Sequence, residues 1–215
     1  MEDREDSMIR LCEISKNYGE NRVLDRVTFT VDRGETVVLT GESGCGKTTL
    51  LRIIAGVESY NSGRLYLDGQ EVTDDLAPHR RNIAMVFQEA TLWNHLSVYG
   101  NITYGMKKKD RQLVQKIASG LKIQELLDRY PAEISGGQAK RVSLARAFAS
   151  DRDILLLDEP LSNLDNETRE SVLDMILETY ASKKTILYVT HDRMEAGRLG
   201  CPEYRMENGK LLRRG

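Results

Sequence analysis

At 215 residues, with 40% hydrophobic and 30% charged residues, the chain is long enough for one domain with a real core and a small elaboration, and its composition excludes a disordered polymer. A formal net charge of −2, with short basic clusters such as Lys107 to Lys109 and Arg213 to Arg214 among mixed signs, offers no footprint for nucleic acid. Cys12, Cys45 and Cys201 are scattered and without CxxC spacing, which argues against a disulfide framework or a zinc site and suits a reducing compartment.

The opening MEDREDSM is acidic and lacks an apolar signal core, and the longest aliphatic run is Ile154 to Leu157. Spanning a bilayer takes roughly 20 apolar residues, so a cytoplasmic protein is expected, neither secreted nor membrane-spanning. Ile9 and Leu11, then Val27, Phe29 and Val31, alternate with polar neighbours and predict two antiparallel strands at the N-terminal side. TVVLT at 36–40, IAMVF at 83–87, ILLLD at 154–158 and TILYVT at 185–190 are apolar on both faces, as central strands of a parallel sheet are.

Helical periodicity follows or separates these runs: Leu50, Leu51 and Ile54; Val142, Ala145 and Ala149; Leu173, Ile176, Leu177 and Tyr180. Strand then helix, repeated, is the α/β class. From Val98 to Pro131 the pattern is mostly helical, with Leu113, Ile117 and Leu121 on one face and Leu126, Leu127 and Tyr130 on another, which reads as an inserted α-helical subdomain. The expected organisation is one domain over 1–215, its core at 1–89 and 150–215, its helical insertion at about 90–149. EYRMENGKLL closes on a hairpin at Asn208-Gly209.

GESGCGKTT follows a buried-strand run and opens a helix, the context that makes G-x-x-x-x-G-K-[ST] a P-loop. Across Gly41, Glu42, Ser43, Gly44, Cys45, Gly46, Lys47, Thr48 and Thr49, the glycines let backbone N–H groups turn toward phosphate oxygens, Lys47 reaches the β- and γ-phosphates, and the Thr48 hydroxyl ligates Mg²⁺. Cys45 reads either as a thiol at a helix N-terminus or, more plainly, as a small side chain at a permissive position. ILLLDEP delivers Asp158 and Glu159 at the carboxyl end of a buried strand, where open α/β sheets bind ligands. Asp158 would hold Mg²⁺ and Glu159 would position or deprotonate the attacking water.

The ordered set GESGCGKTT, Gln88 in VFQEA, ISGGQ, ILLLDEP, SNLD at 162–165 and His191 in VTHD resembles the nucleotide-binding subunits of ABC transporters, from Tyr18 to the final hairpin. The resemblance implies a P-loop NTPase core that uses ATP and Mg²⁺ in a head-to-tail dimer. Ser135, Gly136, Gly137 and Gln138 would close over the γ-phosphate bound by the partner subunit, consistent with an anion-attracting helix start that carries no catalytic group. Tyr18 would stack on adenine, although a tyrosine there also suits a packed strand end. Gln88 would contact Mg²⁺ and the water, Asp165 the partner's site, and His191 the γ-phosphate.

Ile134 stands where leucine is usual, and Ala139-Lys140 where a glutamine and a second polar or basic residue are usual, departures expected to bear on partner contacts. The stretch from Leu76 to Met106, with SNLDNETRE and THDRMEA, is most similar to importer ATPases of the sugar, polyamine and inorganic-ion group. Relatives there often carry a C-terminal regulatory domain, and an ending just after the hairpin resembles the shorter importer subunits. The implied partners are a second nucleotide-binding subunit and membrane permease subunits docking on the insertion, with no nucleic acid, and the implied location is the inner face of the cell membrane. Leu92 and Trp93 are either that docking surface or the packing of the insertion on the core. A soluble ABC ATPase is the alternative; Glu159 and His191 argue against a module that binds nucleotide without hydrolysis.

Overall fold

The computed structural model describes residues 7–73, 76–181 and 183–214. Two long strands, β1 (Ser7–Tyr18) and β2 (Asn21–Asp32), pair antiparallel as their alternation requires. β3 (Thr36–Thr40) is buried along its whole length and runs through the P-loop into α1 (Lys47–Ala55). β4 (Ser62–Leu67) and the two-residue β5 (Gln70–Glu71) join β1 and β2 in an antiparallel sheet ordered β2-β1-β4-β5. Only β1 and β2 of this sheet are expected from the alternation; β4 opens on the exposed Ser62, Gly63 and Arg64 and buries only Leu65 and Leu67 fully.

β6 (Ile83–Val86), β7 (Ile154–Asp158), β8 (Thr185–Val189) and β9 (Glu203–Glu207) complete a parallel sheet with β3, to which β10 (Lys210–Arg213) adds an antiparallel edge; the order is β10-β9-β3-β8-β7-β6. The final hairpin turns at Asn208 (φ 48°) and Gly209 (φ 74°), the left-handed pair a tight hairpin needs. The pleat sorts the apolar strands onto two cores. Leu155, Leu157, Ile186 and Tyr188 face the helical side, whereas Ile154, Leu156, Leu187 and Val189 face α1 and the antiparallel sheet.

The insertion contains α2 (Val98–Thr103), α3 (Arg111–Gly120) and α4 (Gly136–Ala149), with no strand between β6 and β7 among the described residues. α3 buries Val114, Ile117, Ala118 and the following Leu121, but leaves Leu113 37% exposed, correcting the face expected from spacing. Asp110 caps the helix by accepting from the backbone N–H groups of Gln112 and Leu113, so Leu113 sits in the first turn. Tyr130 is likewise exposed, as the N-cap of a short 3₁₀ turn rather than part of an apolar face. Beyond β7, α5 (Asn166–Met175) runs into a π-helical turn over Ile176–Tyr180, and α6 (Arg193–Leu199) follows β8.

Arg81, buried, closes the C-terminal end of α1 by donating to the carbonyls of Ile53 (3.0 Å) and Ile54 (3.2 Å), with Nε donating to that of Leu76 (3.1 Å). A cation there adds a charged donor to carbonyls of the last helical turn, of which that of Ile53 also accepts from the Gly56 N–H, and complements the helix dipole. Arg81→Ala is expected to lower unfolding free energy by about 2–4 kcal/mol, measured as a reduced urea midpoint at unchanged slope; a loss below about 1 kcal/mol would contradict that role.

Candidate functional site

β3, β8 and β7 lie side by side and end level: Leu39 and Asp158 both pair with Val189. The ladder continues one step beyond the strands, where the Glu159 N–H donates to the Val189 carbonyl at 2.9 Å and the Thr190 N–H to that of Leu39 at 3.1 Å. Three loops from distant parts of the chain, the P-loop, 159–165 and 190–192, are therefore held at one sheet edge.

Within the P-loop, Gly41 (φ 148°) and Gly46 (φ 110°) are required on two counts. A Cβ on Gly41 would come within 2.6 Å of the Met206 carbonyl oxygen and one on Gly46 within 2.9 Å of that of Val23, so the loop is clasped between the C-terminal hairpin and β2. α1 begins with no side-chain cap, leaving its first N–H groups for a ligand. Lys47, 5% exposed, folds back: its Nζ donates to the carbonyls of Gly41 (2.8 Å) and Glu42 (2.7 Å) and lies 3.7 Å from Cys45 Sγ.

Asp158 is 1% exposed, and neither carboxylate oxygen has a hydrogen-bond partner among the described residues. Burial raises its pKa; the adjoining Thr48 side chain, Lys140 and Arg52 lower it, and Glu159 raises it further. A desolvated carboxylate beside the Thr48 hydroxyl is a donor set suited to a hard divalent cation. No cluster of three or more histidine, cysteine or carboxylate side chains fit for a metal occurs among the described residues, which is compatible with an ion held by few protein oxygens and its bound substrate.

Glu159 adopts φ 44°, uncommon outside glycine, in a turn that Ser162 closes by donating from both N–H and hydroxyl to the Glu159 carbonyl. Its Oε1 lies 3.1 Å from His191 Nδ1 and its Oε2 accepts from Gln88 Nε2 at 3.4 Å. Gln88, Glu159, His191 and Gly41 to Ser43 line one open cavity of about 540 Å³. Glu42 to Cys45 line a second, of about 460 Å³, against Arg22 and the final hairpin. Thus Gly41 to Ser43, Gln88, Glu159 and His191 share a cavity, with Asp158 buried beside it at the end of β7; Lys47, Thr48, Thr49 and Asp158, like Tyr18, Ser135 to Gln138 and Asp165, do not line either cavity.

Tyr18 ends β1, 47% exposed, with the Lys16 ammonium 4.8 Å from its ring centre. Ser135 caps α4: its hydroxyl accepts from the Gln138 N–H (3.3 Å) and the Gln138 side chain accepts from the Ser135 N–H (2.9 Å). Gly136 is exposed, and a Cβ on Gly137 would meet the Asn163 carbonyl oxygen at 3.5 Å, so the ISGGQ turn and the SNLD loop adjoin. Asp165 caps α5 through Thr168, whose hydroxyl is the main cause of the aspartate's lowered pKa.

Arg169 has no counterpart among the sequence expectations, and Lys140 has a different one. Arg169 donates to the Leu164 carbonyl and to Asp192 and lies 3.9 Å from buried Glu195, which also accepts from the Thr190 hydroxyl; this network joins the SNLD loop to the segment carrying His191. Lys140 is 4% exposed and donates to the carbonyls of Phe87 and Gln88, turned into its own subunit rather than toward a partner as the departures in its motif suggested. Burial lowers its pKa to about 8, against the pull of Asp158 and Glu159. Trp93 packs on Tyr104 (ring centres 4.1 Å apart) with Arg146 above it at 4.6 Å, yet keeps part of its surface open.

The profile of the ABC transporter family matches residues 24–162. The chain belongs to that family. It is 39% identical over 98% of its length to the Fe(3+) ions import ATP-binding protein FbpC of Photobacterium profundum, and 41% identical, also over 98%, to FbpC 1 of Pectobacterium atrosepticum. It spans 62% of the length of each. Among solved structures it resembles the dimeric bacterial ABC transporter cassette MJ0796, at 29% identity and TM-score 0.86, covering 97% of this chain and 100% of that one. ABC cassettes thus share this α/β layout of a parallel-containing sheet and a separate antiparallel sheet.

The burial of Asp158 has a measurable consequence. Asp158→Asn is expected to raise the unfolding midpoint of the ligand-free protein by about 2–4 °C, because a desolvated charge is removed, and to eliminate any Mg²⁺-dependent gain in affinity for an ATP analogue. A lowered midpoint would show instead that the carboxylate is stabilising.

Proposed function

We propose that this chain is the ATP-binding and ATP-hydrolysing subunit of a membrane ABC transporter of importer type, working as a head-to-tail dimer that sandwiches two ATP molecules and drives separate permease subunits. The observation that carries the reading is the convergence of the P-loop, Asp158, Glu159, His191 and Gln88 at one sheet edge, with the ISGGQ turn set against the SNLD loop instead. A phosphate-attracting helix start excluded from its own site is available to a partner's. No helix among the described residues is long and apolar enough to cross a membrane, in keeping with a peripheral subunit at the cytoplasmic face that works through permeases. The named relatives act in Fe(3+) import, which favours the inorganic-ion branch of the importers.

On ATP binding, Lys47 would exchange its two backbone carbonyls for phosphate oxygens, and the uncapped start of α1 would take the β-phosphate. Thr48, Gln88 and Asp158 would hold Mg²⁺, which when bound supplies positive charge against the phosphate oxygens. Glu159 accepts the proton of the attacking water or orients it; its carboxylate is steadied from two sides by the Gln88 amide and the His191 ring. His191, 67% exposed at its side chain, is free to reach the γ-phosphate as the dimer closes. The partner's ISGGQ turn then contributes backbone N–H groups and the Ser135 hydroxyl to the same phosphate. The helical insertion, with Leu92 and Trp93 just beyond Gln88, would face the permease.

Two variants test this. Glu159→Gln retains a hydrogen-bonding side chain but cannot accept the proton, so it should accumulate an ATP-bound dimer on gel filtration; a monomer at saturating ATP would sink the sandwich. Ser135→Asp preserves an N-cap acceptor and hence α4, but sets a carboxylate against the partner's phosphate. Turnover should fall by about 100-fold or more with monomer ATP affinity unchanged, and loss of monomer affinity instead would mean that the turn serves its own site.

A further inference from the structure

Lys140 lies in the second turn of α4, the helix whose first residues form the ISGGQ turn. Its ammonium is sequestered from water, a costly arrangement unless the charge meets good partners. Those partners are two consecutive backbone carbonyls, Phe87 at 2.8 Å and Gln88 at 2.7 Å, both just past the last residue of β6. Gln88 in turn donates its side-chain amide to Glu159 at 3.4 Å, at the rim of the phosphate-side cavity. One cation therefore bridges the ISGGQ helix to the backbone of the residue that touches the proposed base.

We propose that Lys140 is a positioning residue: it clasps the backbone at Gln88, fixes the reach of the Gln88 amide to Glu159, and makes that reach follow the position of α4. The chain of contacts is continuous from the ISGGQ turn through α4, the Lys140 ammonium and the Gln88 backbone to Glu159. A rigid helix of 14 residues moves as a body, so a displacement at its Ser135 end is delivered to Gln88 through this contact. Lys140 touches no reacting atom; it acts through Gln88. The departure at this motif position thus serves contact within the subunit. The inference rests on the proposed ATPase reading.

The test uses the full chain and compares Lys140→Met, which removes every donor, with Lys140→Gln, which restores two amide protons without the charge. Lys140→Met should lower kcat by about 10- to 100-fold, while KM and the affinity for a fluorescent ATP analogue stay within about twofold, and Lys140→Gln should recover most of the rate. In a Gln88→Ala background, Lys140→Met should cost nothing further, because the residue it positions is gone. An unchanged kcat in Lys140→Met, multiplied losses in the double variant, or parallel loss of rate and nucleotide affinity in both single variants would overturn the proposal. Hydrogen exchange provides a readout apart from turnover: amides of 87–92 should exchange faster in Lys140→Met, with α1 unchanged, and equal exchange also overturns it. A wild-type chain that fails to hydrolyse ATP refutes the ATPase reading, whereas exchange at 87–92 still judges the clasp.

Discussion

The chemistry of this protein depends on three parallel strands that stop at the same level. β3, β8 and β7 hold the P-loop, the His191 segment and the Asp158-Glu159 pair in one register, and the hydrogen bonds from Glu159 and Thr190 extend that register into the loops themselves. A slip of one residue in β7 would exchange its buried faces and send Asp158 to the wrong side of the sheet. The two cores, one on each face, resist such a slip, since Leu155 and Leu157 are committed to the helical side and Ile154 and Leu156 to α1.

Around that edge the structure accepts electrostatic arrangements that a fold selected only for stability would avoid. Asp158 is buried and desolvated, Glu159 sits in a left-handed conformation, and Lys140 and Lys47 are both buried cations satisfied by backbone carbonyls. Each opposes folding on its own, and the surrounding sheet and helices over-determine them. The arrangement leaves Asp158 and the first turn of α1 with unmet capacity that a phosphate and its cation would fill, while Arg81 closes the far end of α1 and the close approaches at Gly41 and Gly46 fix the path of the P-loop.

The sites differed in how far local chemistry announced them. The P-loop, the strand ending in Asp158-Glu159 and the Asn208-Gly209 hairpin are contiguous in the chain, and their backbone demands are written in glycine, lysine and strand periodicity. α3 shows the limit of spacing alone: Leu113 and Ile117 share a period, but the Asp110 cap sets where the helix begins and turns Leu113 outward. β4 is not legible in the sequence because Gly63 and Arg64 break its alternation, the glycine being demanded by the carbonyls of Cys12 and Glu13 within 2.7 Å of where a Cβ would lie. Arg169 carried no signal as a site residue, and Lys140 signalled partner contacts rather than its inward role, because Asp192 stands 23 positions from Arg169 and the Phe87 and Gln88 carbonyls that hold Lys140 stand 53 and 52 positions away and have no residue identity.

The amino-acid order alone determined the α/β class, the nucleotide-binding motifs and the family, because each depends on short-range periodicity or on a few residues within one loop. Tertiary structure decided which of those motifs share a cavity, that the ISGGQ turn and Asp165 stand outside it, and that Lys140 faces inward to Gln88. Those outcomes follow from strand order and helix placement, which bring together groups far apart in the chain and are set by the packing of both cores at once.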